Sequence, residues 1–225
     1  MYLPKWINEK EIKNIHNKAL NIIEEVGFKL DDKDLLRRLK QFDIKVDLIN
    51  KNIKISKKTA KYFLKKIPKE ITLYGIDSKN DIKLGSKSIY RPISGSINII
   101  DDSGNIRKPV KDDVVKVARI VENLELIHFN ATTLFPFDEP NDAIDVAAAK
   151  INFENCSKHI LVDTLNERSF LAILEMAFKI RNGEKAFKER PFFQVHFPAT
   201  SPLIFDKNAC ANLKLATQYN IPVRI

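Results

Sequence analysis

Phe192-Phe193-Gln194-Val195-His196-Phe197-Pro198 is a short run rich in β-branched and aromatic residues, set between two helix-like segments. Runs of the same kind begin at Leu126, His159 and Ile221, so successive starts lie 33, 33 and 29 residues apart. The intervals hold helix-like segments over 142–155, 167–182 and 206–219, with a shorter one over 184–189. Strands alternating with helices at this spacing imply parallel strands joined by right-handed crossovers. The expected fold class is therefore α/β, a partial TIM-type (βα) barrel of about four to five strands preceded by a small helical module and a β-hairpin. A complete eight-stranded barrel takes about 250 residues, and the fourth run is still open at Ile225, so the expectation is a truncated half-barrel. A doubly wound open sheet is the alternative. No GxGxxG follows a strand and no GxxxxGK[ST] is present, which removes its usual nucleotide-binding versions.

Upstream of Leu126 the pattern changes. Ile12, Ile15, Leu20, Ile22, Ile23 and Val26 recur at mainly three- and four-residue spacings, predicting a helix over Glu9–Val26 that Gly27 stops. A second helix is expected over Asp31–Gln41 and a third from the Ser56 cap to Ile67, with the extended segment Ile44–Ile55 between them. Glu70–Asp77 and Ile82–Leu84 read as strands. Ser96–Asp101 faces Asn105–Lys108 across Asp102-Ser103-Gly104 as a hairpin, and Ile97–Ile100 is a candidate extra barrel strand. Pro109 and Asp112 then open a helix over Asp113–Leu124. The division expected is a helical module (1–70), a strand and hairpin connector (71–110) and the first half of a barrel (111–225).

The net charge of +9 is unevenly spread. Residues 1–70 carry 18 Lys/Arg against 10 Asp/Glu, whereas the remainder carries 20 against 19. The excess is a lysine cluster from Lys51 to Lys69 without the aromatic interleaving that reads bases, so a nucleic-acid partner is not expected. A solvated helix face or a dock for an acidic protein fits it better. No run approaches the length of a membrane span, and Met1-Tyr2-Leu3-Pro4-Lys5-Trp6 lacks a secretory core, which points to a cytoplasmic protein. Cys156 and Cys210 show no CxxC spacing and are expected as buried free thiols. His16, His128, His159 and His196 have no metal-ligand spacing, so no metal site is expected. GxSxG is absent, and with it the hydrolase elbow.

Barrel chemistry lies beyond the carboxyl ends of the strands. The candidates there are Asn130, Thr132 and Thr133, then Asp163 and Thr164, then His196, Thr200 and Ser201. His196 ranks first, because an imidazole at a strand end can accept a proton or hydrogen-bond a substrate carboxylate; the alternative is a bridge to a loop carbonyl. Asp163 could balance a cationic substrate or cap the helix that begins near Asn166. The substrate-binding set expected is His196, Asp163, Asn130 and Thr132. The carboxylate pairs Asp101-Asp102 and Asp112-Asp113 read as turn and helix-start residues.

Several segments, in order, carry a family resemblance. They are Ile23-Glu24-Glu25-Val26-Gly27-Phe28; Gly104-Asn105-Ile106-Arg107-Lys108-Pro109-Val110-Lys111-Asp112-Asp113; Val121-Glu122-Asn123-Leu124; and Cys156-Ser157-Lys158-His159-Ile160. Gly183-Glu184-Lys185-Ala186-Phe187-Lys188-Glu189-Arg190-Pro191-Phe192, Thr200-Ser201-Pro202-Leu203 and Asn220-Ile221-Pro222-Val223 complete the set. Together they resemble the corrinoid-dependent trimethylamine methyltransferase family. The resemblance implies demethylation of trimethylamine or a betaine-type quaternary amine, with the methyl group passing to a corrinoid protein as partner. It implies no cofactor bound directly, the cobalt corrinoid being carried by that partner, and a use for Phe129, Phe197 and Asp163 around a cationic substrate. Trimethylamine-specific members carry an encoded pyrrolysine in the second half of the chain.

Two departures stand out: His159 replaces the family's usual proline, and Arg224-Ile225 stands where a glycine-rich strand end usually follows Pro222-Val223. A half-barrel leaves an unpaired strand edge. The expectation is that the 225-residue chain alone lacks methyltransferase activity; turnover by it would overturn this. A binding or scaffold module, closed as a homo-oligomer or by a second chain, is the alternative.

Overall fold

The structure is a computed structural model that describes residues 7–85 and 88–224. The segment read for a secretory core and the last residue of the fourth run lie outside the described residues. The chain divides into two compact units, the first reaching Pro68 and including Ala199–Cys210, the second comprising Lys69–Pro198 and the chain from Ala211 onward.

In the first unit α1 (Glu9–Glu25) opens with a capping box in which Asn8 and Glu11 bond each other's backbone amides. It stops at Gly27, whose φ of +78° a side chain would resist. β1 (Phe28–Leu30) and α2 (Lys33–Leu39) follow, Asp32 capping the latter through Asp34 N and Leu35 N. The segment Ile44–Ile55 is a hairpin, β2 (Ile44–Asp47) and β3 (Asn52–Ile55), its turn built on Asp47 bonding the amides of Ile49 and Asn50. α3 (Lys57–Leu64) has Ser56 as its cap and ends three residues earlier than periodicity predicts, before Pro68 is reached. Leu30, Leu36, Ile53 and Cys210 form this unit's core.

The second unit begins with the antiparallel pair β4 (Ile71–Leu73) and β5 (Ile82–Leu84). β6 (Ile99–Ile100) and β7 (Ile106–Arg107) form the expected hairpin, with Asp101 accepting from the amides of Ser103 and Asn105 in its turn. α4 (Lys111–Asn123) is capped from inside by Asp113, which accepts the Val110 amide and a two-point ion pair from Arg107 at 2.7 and 2.9 Å. β8 (Asn130–Ala131), α5 (Ile144–Asn155), β9 (Ile160–Val162), α6 (Glu167–Ile180), α7 (Glu184–Glu189) and β10 (Phe193–His196) then alternate. β11 (Ile204–Phe205) belongs to the first unit and pairs parallel with β1. α8 (Lys207–Gln218) precedes β12 (Val223–Arg224).

β8, β9, β10 and β12 form one sheet, parallel throughout and in chain order. Among the described residues the sheet does not close into a barrel. The outer edge of β8 is flanked by the segment 90–96: the His128 and Tyr90 backbones bond, and the Gly95 and Ser96 amides donate to Thr132 O and Thr133 O. Ile97–Ile100 is thus not a further strand of this sheet; its neighbour Ser96 makes a single parallel bridge to Leu134, after which the chain turns into the β6–β7 hairpin.

Alternation along each strand splits the sheet into two faces. Ile160, Val162, Phe193 and Val195 pack against α5, α6 and α7 in a core that contains Phe170, Phe187 and Phe192. Each fully buried phenylalanine contributes roughly 1.5–3 kcal/mol. The opposite face carries Phe129, Ala131 and Leu161, covered by Leu73, Ile82, Leu84 and Ile89 from the β4–β5 region. That hairpin is fastened at the amino ends of the strands. His159 Nδ1 lies 2.8 Å from Tyr74 O, Arg181 donates to Gly75 O and Ile76 O, and Arg190 grips both oxygens of Asp81.

Candidate active site at the carboxyl ends of the strands

The pairing Val162↔Val195 and Val195↔Val223 puts three successors at one level on adjacent strands: Asp163 after β9, His196 on β10 and Arg224 on β12. All three share the parity of Leu161 and Gln194, so their side chains emerge on the face opposite the helices. His196 Nδ1 is 2.9 Å from Asp163 Oδ1, and Arg224 Nη1 is 3.1 Å from His196 Nε2. An arginine only donates. Nε2 is therefore the acceptor, and the ring carries its proton on Nδ1, where it donates to the carboxylate. The imidazole is held from both sides, while 28% of the His196 side chain and 19% of that of Asp163 remain accessible.

Arg91, from the segment flanking β8, completes the charged set. Burial pulls its guanidinium below the ordinary arginine value, the Arg224 charge adds to that, and Asp163 pulls the other way. Arg91 Nη1 also donates to Pro92 O at 2.6 Å. Among the described residues neither Arg91 nor Arg224 has a carboxylate within ion-pair distance.

The other expected residues have different surroundings. Asn130 is fully buried on the helix face, where its Nδ2 donates to Asn152 Oδ1 at 2.7 Å and its Oδ1 accepts the Ala131 amide. It is engaged by the scaffold, because strand alternation turns it away from the face that holds His196. Thr132 is likewise buried; its hydroxyl donates to Leu161 O at 3.4 Å and accepts the Asp163 amide at 3.3 Å, so it fixes the turn that carries Asp163. The Thr133 hydroxyl bonds Ala131 O, and Thr164 Oγ1 is buried with no partner among the described residues. Thr200 and Ser201 fall in the first unit, where Thr200 closes on Ile204 through two backbone bonds. Asp163 is not the cap of α6; Asn166 is, accepting from Ser169 N at 3.0 Å.

Of the aromatic residues considered for a cationic substrate, Phe129 packs edge-on to His159 at the amino end, in the core beneath the β4–β5 hairpin. Phe197 is buried, its amide donating to Arg224 O. Asp145, Arg91 and Arg224 were not singled out by spacing. Asp145 is fully buried on α5 and accepts the Leu165 amide at 2.7 Å, bracing the loop after β9. Arg224 could have been found from the strand beat, since it stands at the position in its strand that His196 occupies in the preceding one.

A family model for trimethylamine methyltransferase (MTTB) matches residues 3–225. The chain belongs to the trimethylamine methyltransferase family. Its similarity to the trimethylamine methyltransferase MttB of Desulfitobacterium hafniense (strain DSM 10664 / DCB-2) is 27% identity over 220 residues, covering 97% of this chain and 44% of that protein. It is 22% identical over 209 residues to the glycine betaine methyltransferase of Desulfitobacterium hafniense (strain Y51), covering 91% of this chain and 43% of that one. The chain thus spans under half the length of these family members. Among its described residues, no helix is long and apolar enough to cross a membrane.

Proposed function

We propose that the chain contributes the His196 end of an active site that transfers a methyl group from trimethylamine or a betaine-type quaternary amine to a corrinoid protein. Its four parallel strands, consecutive in the sheet and separated by helices, are on this reading part of a (βα) barrel. The observation that carries it is the convergence of Asp163, His196 and Arg224 at the carboxyl ends of three adjacent strands, in a chain of this family.

The chemistry asks little covalent work of the protein. The carbon–nitrogen bond breaks with its electron pair left on nitrogen, which becomes a neutral amine. The methyl group leaves without a proton transfer, onto the electron pair of a Co(I) corrinoid supplied by the partner as the second substrate. What the chain's residues supply is orientation and exclusion of water. His196, fixed by Asp163 and Arg224, is a rigid wall at the strand ends, and Thr132 and Asp145 keep the loop beneath it in place.

Isothermal titration of the folded chain with trimethylammonium and with glycine betaine is the first test. Saturable uptake of one of them, abolished in His196→Ala, is expected; a folded chain that takes up neither overturns the reading. Methyl transfer to a reduced corrinoid protein then tests the chemistry, read as demethylated amine formed per methylated corrinoid.

A further inference from the structure

We infer that the groove beside α3 in the first unit is a docking site for an acidic segment of a partner protein, which seats an apolar side chain there between carboxylates. The inference is independent of the methyl-transfer reading and of the strand-end site.

The groove, of about 250 Å³, is lined by Phe42, Asp43, Lys58, Thr59, Tyr62 and Phe63. Its floor is fixed by hydrogen bonds. Thr59 is buried, accepts from Ser56 Oγ and donates to Asp43 O at 3.2 Å, which ties the turn before β2 to the first turn of α3. Phe42 meets Phe63 edge-on with ring centres 5.4 Å apart, and Phe63 meets Tyr62 edge-on at 5.3 Å. Yet Phe42 is 48% and Tyr62 55% exposed. A contiguous aromatic wall open to water, over a floor held in shape, is the kind of pocket that an interface anchor fills.

Charge says what the anchor is attached to. Lys58, Tyr62 and Lys66 recur at four-residue spacing and so form one row along α3 and the turn after it, with Lys61 and Lys65 on the adjoining row. Lys57 pairs with Glu24, but Lys58, Lys61, Lys65 and Lys66 have no carboxylate within ion-pair distance among the described residues. Asp43 is the single acidic residue among those lining the groove. Such a field draws in carboxylates and rejects basic partners.

A nucleic acid fits less well. Lys66 lies over the Tyr62 ring at 4.4 Å, the two phenylalanines pack against one another, and the cluster from Lys51 to Lys69 holds no arginine to stack on a base. A membrane surface takes a convex apolar face, whereas this one is concave.

Panning a random peptide library displayed on phage against the whole chain tests the inference. Selected peptides are expected to share an aromatic or leucine side chain flanked by Asp and Glu. In fluorescence anisotropy the best of them should bind roughly tenfold more weakly to Tyr62→Ser and to Lys58→Glu, and its affinity should fall as salt rises. Lys33→Glu, an exposed site at the far end of α2 from Phe42, should leave binding unchanged. Circular dichroism melts confirm that the variants fold. Peptides without an acidic consensus, or binding indifferent to Tyr62→Ser and Lys58→Glu, overturn the inference. A loss at Lys33→Glu equal to that at Lys58→Glu also overturns it, by reducing the attraction to net charge. Tighter binding of oligouridylate or of phosphatidylserine vesicles than of the peptide, lost in the same two variants, replaces the acidic protein with an RNA or a membrane and overturns it as well.

Discussion

Asp163 Oδ1 accepts the Nδ1 proton of His196 across 2.9 Å, a side-chain bond at the carboxyl ends of two adjacent parallel strands. The bond fixes which way the imidazole faces. Replacing the carboxylate by an amide removes the anionic acceptor while keeping the shape, so Asp163→Asn is expected to leave the melting temperature nearly unchanged. Donor affinity should fall about tenfold, the equivalent of ~1.4 kcal/mol for one charge-assisted bond. Titration calorimetry checks this; unchanged affinity would mean that His196 is oriented by its strand alone.

His159 gives the protein a pH dependence of its own. Its ring is fully buried, Nδ1 bonds Tyr74 O, and Nε2 has no partner among the described residues. Burial pulls its pKa down from 6.5 to about 4. The unfolded chain therefore binds this proton more readily than the folded one, so stability is full above about pH 6.5 and declines as pH falls toward 4. The loss over that window is about 3 kcal/mol. Urea unfolding at pH 7, 6, 5 and 4.5 should show it, and His159→Gln should flatten the curve. A slope that survives the substitution places its origin elsewhere. The acidic groups held below their ordinary values, Asp113 by Arg107 among them, act in a lower window: their contribution is present above about pH 4 and is lost below it.

Lys158 closes the end of α4. Its buried Nζ donates to Val121 O, Leu124 O and Ile127 O at 2.7–2.8 Å, a second donor for the first two, which also accept the amides of Leu124 and Ile127. Lys158→Met keeps the stem and takes the charged donor from all three carbonyls, leaving Val121 O and Leu124 O with only the backbone amides of Leu124 and Ile127. A loss of about 3 kcal/mol is expected in chemical denaturation, with the deficit largely independent of salt because the group is shielded. A cost under about 0.5 kcal/mol would contradict this role.

Gly27 cannot be replaced cheaply. Its φ is +78°, and a Cβ built there would sit 2.1 Å from the Ile53 carbonyl oxygen across the β1–β3 pair. Gly27→Ala must displace β3 as well as adopt a disfavoured backbone, and about 2–4 kcal/mol of destabilisation is expected. Loss of amide protection at Ile53 in hydrogen exchange would locate the damage in β3.

The strand and helix beat was readable because α5, α6 and α8 are long enough to fill regular intervals and the apolar runs at β9 and β10 are buried on both faces. His196 and Asp163 were readable as strand-end polar residues for the same reason. Asn130 and Thr132 were harder to judge: they also end a strand, but which face they occupy depends on parity, and β8 is two residues long with a neighbour in 90–96 that has no strand pattern of its own. Arg91 was hidden in that irregular segment, before Pro92, where no periodicity points a side chain anywhere. The placement of 199–210 in the first unit was equally silent, since β11 is brief and its partner β1 lies some 175 residues away.

The β4–β5 hairpin is made early and secured late. Its fasteners are separated from it by 85 residues at His159, by 105 and 106 at Arg181 and by 109 at Arg190. A ribosome has therefore delivered Ile71–Leu84 long before the side chains that hold it exist outside the exit tunnel. During that interval Leu73, Ile82 and Leu84 have no sheet to cover. The hairpin can reach its final seat only after Arg190 has emerged to pair with Asp81.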